Sequence, residues 1–166
     1  DNKATLTWKM NYKAPANSKF VKFFGWNKTG FYACRQKDGA TLNKQQKLFL
    51  EKYGDDGKLI KTREISLKHK GKDRKLEEIF LIGGKIFLFT SYHNLRDRKN
   101  YLFAQEIQEP TLTLSNKLIK VSEASTSNAY NEGEFSFQFS RDSQFLLIYA
   151  QHPLKKKDAE TFTLSV

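Results

Sequence analysis

Short apolar runs of four to eight residues alternate with turn-forming residues along most of the chain. The runs are rich in Phe, Ile, Leu, Tyr and Thr, which favour pleated strands, and apolar residues rarely recur at helical spacing. The pattern predicts twelve strands, at residues 4–10, 19–24, 31–36, 47–53, 59–66, 76–82, 85–92, 100–107, 117–122, 134–140, 145–151 and 160–166. The chain is therefore predicted to be all-β.

Glycines mark two of the predicted turns between these strands. "GDDGKL" at 54–59 contains Gly57, and "IGGK" at 82–85 contains Gly83 and Gly84. Glycine adopts the positive φ that tight hairpins require. All three glycines are predicted to be structural turn residues.

A degenerate internal repeat organises the strands. "FVKFFGWNKTGFYACRQ", "IFLIGGKIFLFTSY" and "FSFQFSRDSQFLLIYAQ" each consist of a strand, a tight turn and a strand, with Phe31, Phe87 and Phe145 early in the second strand. The repeat predicts four-stranded antiparallel units of about 55 residues, present two and three-quarter times. Four-stranded repeats favour propeller-type blades, about three of them here, and a β-sandwich is the alternative architecture.

The turn in the third repeat resembles a known propeller motif. "FSRDSQFLL" is similar to the F-S-P-D-G-x-x-L turn of TolB-like repeats, although Arg141 replaces the usual Pro and Ser143 the usual Gly. The resemblance implies that Asp142 braces the turn between two strands and has no catalytic role.

A wider resemblance covers residues 45 to 166. "EIFLIGGKIFLFTSYHNLRDRKNYLFAQEI" followed by "GEFSFQFSRDSQFLLIYAQHP" looks like the amino-terminal part of uncharacterised exported bacterial propeller-like proteins. This resemblance implies one all-β propeller-like domain over 1–166, a longer native chain, and export to the periplasm or cell envelope. It implies no catalytic residues.

Composition restricts the classes of function. The single cysteine, Cys34, excludes an intramolecular disulfide and a multi-cysteine metal site, and its apolar surroundings predict a buried thiol. No apolar run approaches the roughly 18 residues of a membrane-spanning helix. The net charge of +11 favours anionic partners or surfaces.

Residues suited to catalysis or metal binding are scarce. His69, His93 and His152 have no metal-ligand spacing and are expected to be exposed loop histidines. The acidic pairs at 55–56 and 77–78 lie in a turn and on opposite faces of a strand, respectively. We therefore predict no catalytic residue, no metal and no cofactor, and an enzyme is disfavoured.

Basic residues concentrate in one set of loops. In a four-stranded meander, loops alternate between the two ends of the sheet, and loops 36–46, 68–75, 93–100, 122–132 and 152–158 share one end. They hold 13 Lys and Arg against six acidic residues, whereas the opposite end has a net charge of −1. The predicted electrostatic binding residues are Lys68, Lys70, Lys72, Arg74, Lys75, Arg96, Arg98 and Lys99.

Three functions remain open at this point. The first is a non-catalytic binding or scaffold module that engages a protein partner, the second binds an anionic glycan or other polyanion through the basic loops, and the third is a hydrolase completed by further blades. Nucleic acid is disfavoured because Lys, which forms no bidentate fork with phosphate, outnumbers Arg. Open sheet edges at Thr5–Met10 and Thr161–Val166 would also permit a homo-oligomer.

Overall fold

The computed structural model describes residue 12 and residues 15–37, 47–126, 133–142, 145–153 and 162–165. The described residues form antiparallel strands and turns and contain no helix, which confirms the all-β prediction. None of them belongs to a helix long and apolar enough to span a membrane. Two compact units are present: unit 1 is Asp1–Ser66 with Glu109–Thr113, and unit 2 is Leu67–Gln108 with Leu114–Val166.

Unit 1 contains a four-stranded antiparallel sheet in chain order. Its strands are β1 (Ser18–Asn27), β2 (Gly30–Lys37), β3 (Lys47–Tyr53) and β4 (Leu59–Ser66). The apolar run in β2 makes it a central strand that is buried on both faces, and Cys34 is fully buried within it. The β3–β4 turn closes through the Gly54 amide, which donates to the Lys58 carbonyl (2.9 Å), with Gly57 at φ 77°.

Unit 2 begins with a hairpin that the sequence pattern did not predict, since residues 68–75 were expected to form a loop. It consists of β5 (Lys68–His69) and β6 (Lys72–Asp73). A four-stranded sheet follows, with spatial order β10-β9-β8-β7. Its strands are β7 (Lys75–Ile82), β8 (Lys85–Asn94), β9 (Lys99–Gln108) and β10 (Thr113–Ser125).

A three-stranded sheet completes unit 2. Its strands are β11 (Glu134–Phe139), β12 (Leu146–Gln151) and β13 (Phe162–Ser165). Phe89 and Leu102 of the four-stranded sheet share a hydrophobic core with Ile148, and Phe137 packs against this cluster with its ring centre 5.1 Å from that of Phe89. One face of each of these two sheets is thus buried against the other.

Sheets of four, four and three strands match the predicted units. Within the described residues, none of the sheets closes on itself. Gly83 and Gly84 form the β7–β8 turn at φ 55° and 78°, and nothing lies within 4 Å of the position that a Cβ would occupy on either. The predicted strand 4–10 lies outside the described residues, and of the predicted strand 160–166 the structure describes Phe162–Ser165.

Candidate functional site

The β5–β6 hairpin projects basic side chains from unit 2. Lys70 and Gly71 form its turn, both at positive φ (50° and 77°), as a two-residue hairpin turn requires. The base of the hairpin is closed by the Arg74 amide, which donates to the carbonyl of buried Leu67 (3.0 Å). This geometry exposes Lys68, Lys70 and Lys72.

The β8–β9 turn projects Arg96 and Arg98. The Asn94 side chain organises the turn, because its oxygen accepts from the Arg96 amide (3.1 Å) and its nitrogen donates to Asp97 (2.5 Å). The Tyr101 hydroxyl also donates to Asp97 (3.0 Å), and burial followed by this hydrogen bond raises the pKa of Tyr101. Asp97, the one acidic side chain of the turn, thus accepts hydrogen bonds from Asn94 and Tyr101 and forms no ion pair with either arginine.

His69 connects the hairpin to the sheet that carries this turn. Its ring centre lies 4.9 Å from that of Phe103 and 5.4 Å from that of Tyr92, which pairs with Tyr101 across β8 and β9. Burial, aided by the charges of Lys70 and Arg74, lowers the pKa of His69. The hairpin therefore packs on β8 and β9, the two strands that the turn connects. We call the exposed basic residues of the hairpin and the turn the basic loop surface: Lys68, Lys70, Lys72, Arg96 and Arg98.

Members of the basic loop surface have no ion pair to any acidic residue that the structure describes. The two elements also carry exposed Asp73 and Asp97, so five positive charges outnumber two negative ones, and the excess creates a field that attracts anions. The apolar side chain of Leu95, which is 62% exposed, lies within the same turn as the arginines. The surface therefore combines positive charge with an exposed apolar contact.

The other three predicted binding residues have different environments. Lys75 pairs with Glu77 (3.2 Å) and Lys99 with Glu123 (2.7 Å), and the hydrogen bonds that Glu123 accepts lower its pKa. Arg74, expected in an exposed loop, is only 5% exposed. The sequence pattern did not separate these residues from the exposed ones: the burial of Arg74 and the pairing of Lys99 depend on strands distant in sequence, whereas Lys75 pairs within its own strand.

Asp142 lies in the turn where the resemblance placed it. It accepts a hydrogen bond from the Ser140 hydroxyl (2.6 Å), whose oxygen in turn accepts from the Phe145 amide (3.0 Å). The Ser140 amide also donates to the Phe145 carbonyl (3.0 Å). The carboxylate thus orients the serine that links the two sides of the turn.

The three histidines were expected to be exposed loop residues, but all are half-buried, and His69 and His93 lie in strands while His152 directly follows β12. His93 lies within hydrogen-bond distance of Thr126 (3.3 Å), and Nδ1 of His152 accepts from the Ser125 amide (2.9 Å). His69 is half-buried against Tyr92 and Phe103, and His93 and His152 are half-buried beside the end of β10, at Ser125 and Thr126. Among the described residues, no group of three or more His, Cys, Asp or Glu is arranged to hold a metal ion.

A buried polar network in unit 1 was not anticipated from the sequence. Glu51 accepts hydrogen bonds from Arg35 (2.6 Å), Tyr53 (2.9 Å) and Tyr12 (3.1 Å). Burial and the Glu51 charge raise the pKa of Tyr12 to about 12. The Arg35 guanidinium also lies 4.0 Å from the Phe49 ring centre. The signal in the sequence was the presence of charged residues within two mostly apolar strands, Arg35 in "YACRQ" and Glu51 with Lys52 in "LFLEKY".

Unit 1 also carries an open apolar groove of about 350 Å³, lined by Phe23, Gly25, Trp26 and Phe31. The Trp26 side chain is 78% exposed at its rim. Phe31 stacks on Tyr53 with ring centres 5.3 Å apart, which fixes one wall. The groove offers apolar contact and few polar groups to orient a ligand.

Comparisons with protein-family models, with curated proteins and with solved structures found no match to this chain. No relative therefore assigns a function to any of these residues.

Proposed function

We propose that this chain is a non-catalytic binding module that engages an acidic protein partner through the basic loop surface. The observation that supports this proposal is the set of five exposed Lys and Arg side chains, on two adjacent elements, that have no acidic partner among the described residues. Charges arranged in this way accelerate association and select partners of opposite charge.

Two features favour a protein as the partner. Leu95 presents apolar surface among the charges, and protein interfaces combine an apolar centre with a polar rim. Three of the five basic residues are lysines, whose flexible ammonium groups suit carboxylates at varied positions more than a fixed array of phosphates.

An anionic glycan is the second candidate. Arg96 and Arg98 favour it, because a planar guanidinium can bind a sulfate or carboxylate group with two hydrogen bonds. Binding of a glycan needs no apolar contact with Leu95, whereas binding of a protein partner uses it. A substitution of Leu95 therefore distinguishes the two candidate functions.

The setting of the module is part of the proposal. Antiparallel sheets of four, four and three strands are compatible with propeller-type blades of a longer chain. The F-S-x-D turn at Phe139–Asp142 supports a TolB-like repeat and, with it, a role in the bacterial periplasm or envelope. The location rests on that sequence resemblance alone.

The test measures binding of two labelled probes, an acidic peptide with Leu interspersed among Glu, and heparin, by fluorescence anisotropy at several salt concentrations. The key variant carries Lys70→Glu, Lys72→Glu, Arg96→Glu and Arg98→Glu. A matched control reverses four exposed lysines elsewhere, Lys19, Lys28, Lys37 and Lys117, so that both variants have the same net charge.

We expect the key variant to lose at least about 100-fold in affinity, with a steep salt dependence in the unmodified chain, because the interaction is electrostatic. The control should lose much less. Leu95→Ser should weaken peptide binding and leave heparin binding unchanged if the partner is a protein. Equal losses in the key variant and its control would show that net charge alone explains binding and would overturn the proposal.

A further inference from the structure

Arg74 is a buried arginine with an incomplete set of hydrogen bonds. It follows β6 and is 5% exposed. Its Nη1 donates to the Thr90 hydroxyl (2.8 Å) and its Nη2 to Oε1 of Gln105 (3.0 Å), whose own amide nitrogen is anchored on the Ser115 carbonyl (2.6 Å). Both acceptors are neutral. The Nε–H group is buried and has no acceptor within the described part of the chain.

The charge of Arg74 also lacks compensation. No acidic residue in the described ranges forms an ion pair with it. Asp73, the preceding residue on β6, is exposed and does not pair with Arg74, and the other charged side chains of the hairpin, Lys68, Lys70 and Lys72, are positive. Burial lowers the pKa of Arg74, yet a guanidinium stays protonated in proteins at neutral pH. A buried charge without a partner is strongly destabilising. A neutral acceptor would accept the Nε–H hydrogen bond but would leave the guanidinium charge uncompensated. An oxyanion would accept the hydrogen bond and also compensate the charge.

We infer that Arg74, with Thr90 and Gln105 holding its guanidinium in place, is a binding site for one oxyanion group, such as a sulfate, phosphate or carboxylate. This site is distinct from the exposed residues of the basic loop surface. It can therefore be present whether or not the proposed protein partner is correct. Its contribution is specificity, because a fixed guanidinium recognises the shape of an anionic group and mobile lysines do not.

The β5–β6 hairpin provides the route of access. Each of its strands has only two residues, and a hairpin this small has little stability of its own. It is held by the Arg74–Leu67 backbone hydrogen bond and by the His69 ring on Phe103. The Phe103 position pairs with Thr90, so the ring of His69 lies beside the guanidinium. Lys68, Lys70 and Lys72 concentrate anions at this cover, and its displacement opens the site.

Thermal unfolding of the full chain in sodium sulfate tests the site, with ionic strength held constant by sodium chloride. We expect a saturating rise in Tm of roughly 5 °C once sulfate is far above its Kd. Arg74→Met should remove the saturating rise. The paired substitution Arg96→Met and Arg98→Met should retain it while weakening binding of the acidic peptide. Phosphate and acetate, titrated in the same way, identify which oxyanion the site prefers.

A second measurement covers the case in which Arg74→Met does not fold. In the unmodified chain, added sulfate should shift the NMR signal of the Arg74 Nε–H group until the shift saturates. The apparent Kd obtained from this shift should equal the apparent Kd obtained from the rise in Tm. A linear rise in Tm without saturation would indicate general exclusion of sulfate from protein surfaces. That result, an unchanged Nε–H signal, or an equal saturating rise in Arg74→Met would overturn the inference.

Discussion

The Arg35–Glu51 pair in unit 1 should be strongly coupled energetically. Arg35 is 7% and Glu51 4% exposed, and the Nε–Oε1 distance is 2.6 Å. Glu51→Leu or Arg35→Met alone leaves one buried charge without its partner, which costs about 3–5 kcal/mol of unfolding free energy. The double variant removes both charges and leaves mainly the Tyr12 and Tyr53 hydroxyls without an acceptor, at about 1–3 kcal/mol. The coupling energy should therefore be about 3 kcal/mol or more.

Urea denaturation measures each corner of this double-mutant cycle. Tryptophan fluorescence is the suitable probe, since both tryptophans, Trp8 and Trp26, lie within residues 1–66. The exposed pair Lys47–Glu64, at 2.7 Å on the neighbouring strands β3 and β4, is the matched control. Its coupling should be about 0.2–1 kcal/mol, because water screens it. A coupling for Arg35–Glu51 no larger than that of the control would refute the argument that burial sets its strength.

Three further perturbations have outcomes that the structure predicts. Because burial lowers the pKa of His69 in the folded chain, His69 of the unfolded chain is protonated at a higher pH, as pH falls below about 6.5. Unfolding free energy should drop there, and urea titrations at several pH values should show a smaller drop in His69→Phe. Burial raises the pKa of Tyr12 from 10.0 to about 12, so stability should fall as pH rises through that interval, and Tyr12→Phe should reduce the fall. Gly30→Ala places a Cβ onto the Tyr53 carbonyl oxygen at a φ of 125° and should cost about 3 kcal/mol or more, whereas Gly83→Ala, in open space at φ 55°, should cost about 1 kcal/mol in the same urea assay.

Local sequence patterns were sufficient to predict the long strands, because apolar alternation and glycine turns act within a few residues. They were insufficient for the β5–β6 hairpin, which is lysine-rich and two residues long in each strand. The contacts that stabilise it are the His69 ring on Phe103, more than thirty positions away, and the buried side chain of Leu67. Such long-range packing leaves no periodic signature in the hairpin's own sequence.

The sequence was sufficient to predict that the candidate surface is positively charged. It was insufficient to predict which basic residues belong to that surface. The run "KHKGKDRK" shows that residues 68–75 carry a net positive charge, but the side chain of its one arginine, Arg74, is buried and donates to Thr90 and Gln105. Glu77 and Glu123 then neutralise Lys75 and Lys99 from neighbouring positions on the sheet. Which charges remain available to a ligand is thus decided by tertiary contacts, and a count of loop lysines overestimates the binding surface.

Arg35 and Arg74 differ in how their charges are compensated, and this difference supports the oxyanion site inferred at Arg74. Both arginines are buried, and both are held by neighbouring strands of a four-stranded sheet. For Arg35 the fold supplies Glu51 on the adjacent strand, together with an aromatic face, so its charge is compensated within the sheet. At Arg74 the corresponding positions are the neutral Thr90 and Gln105. If Arg74 had only a structural role, a carboxylate at the position of Thr90 or Gln105 could hold its guanidinium equally well. Neutral acceptors orient the guanidinium while leaving its charge available, which is the arrangement that an anion-binding residue requires.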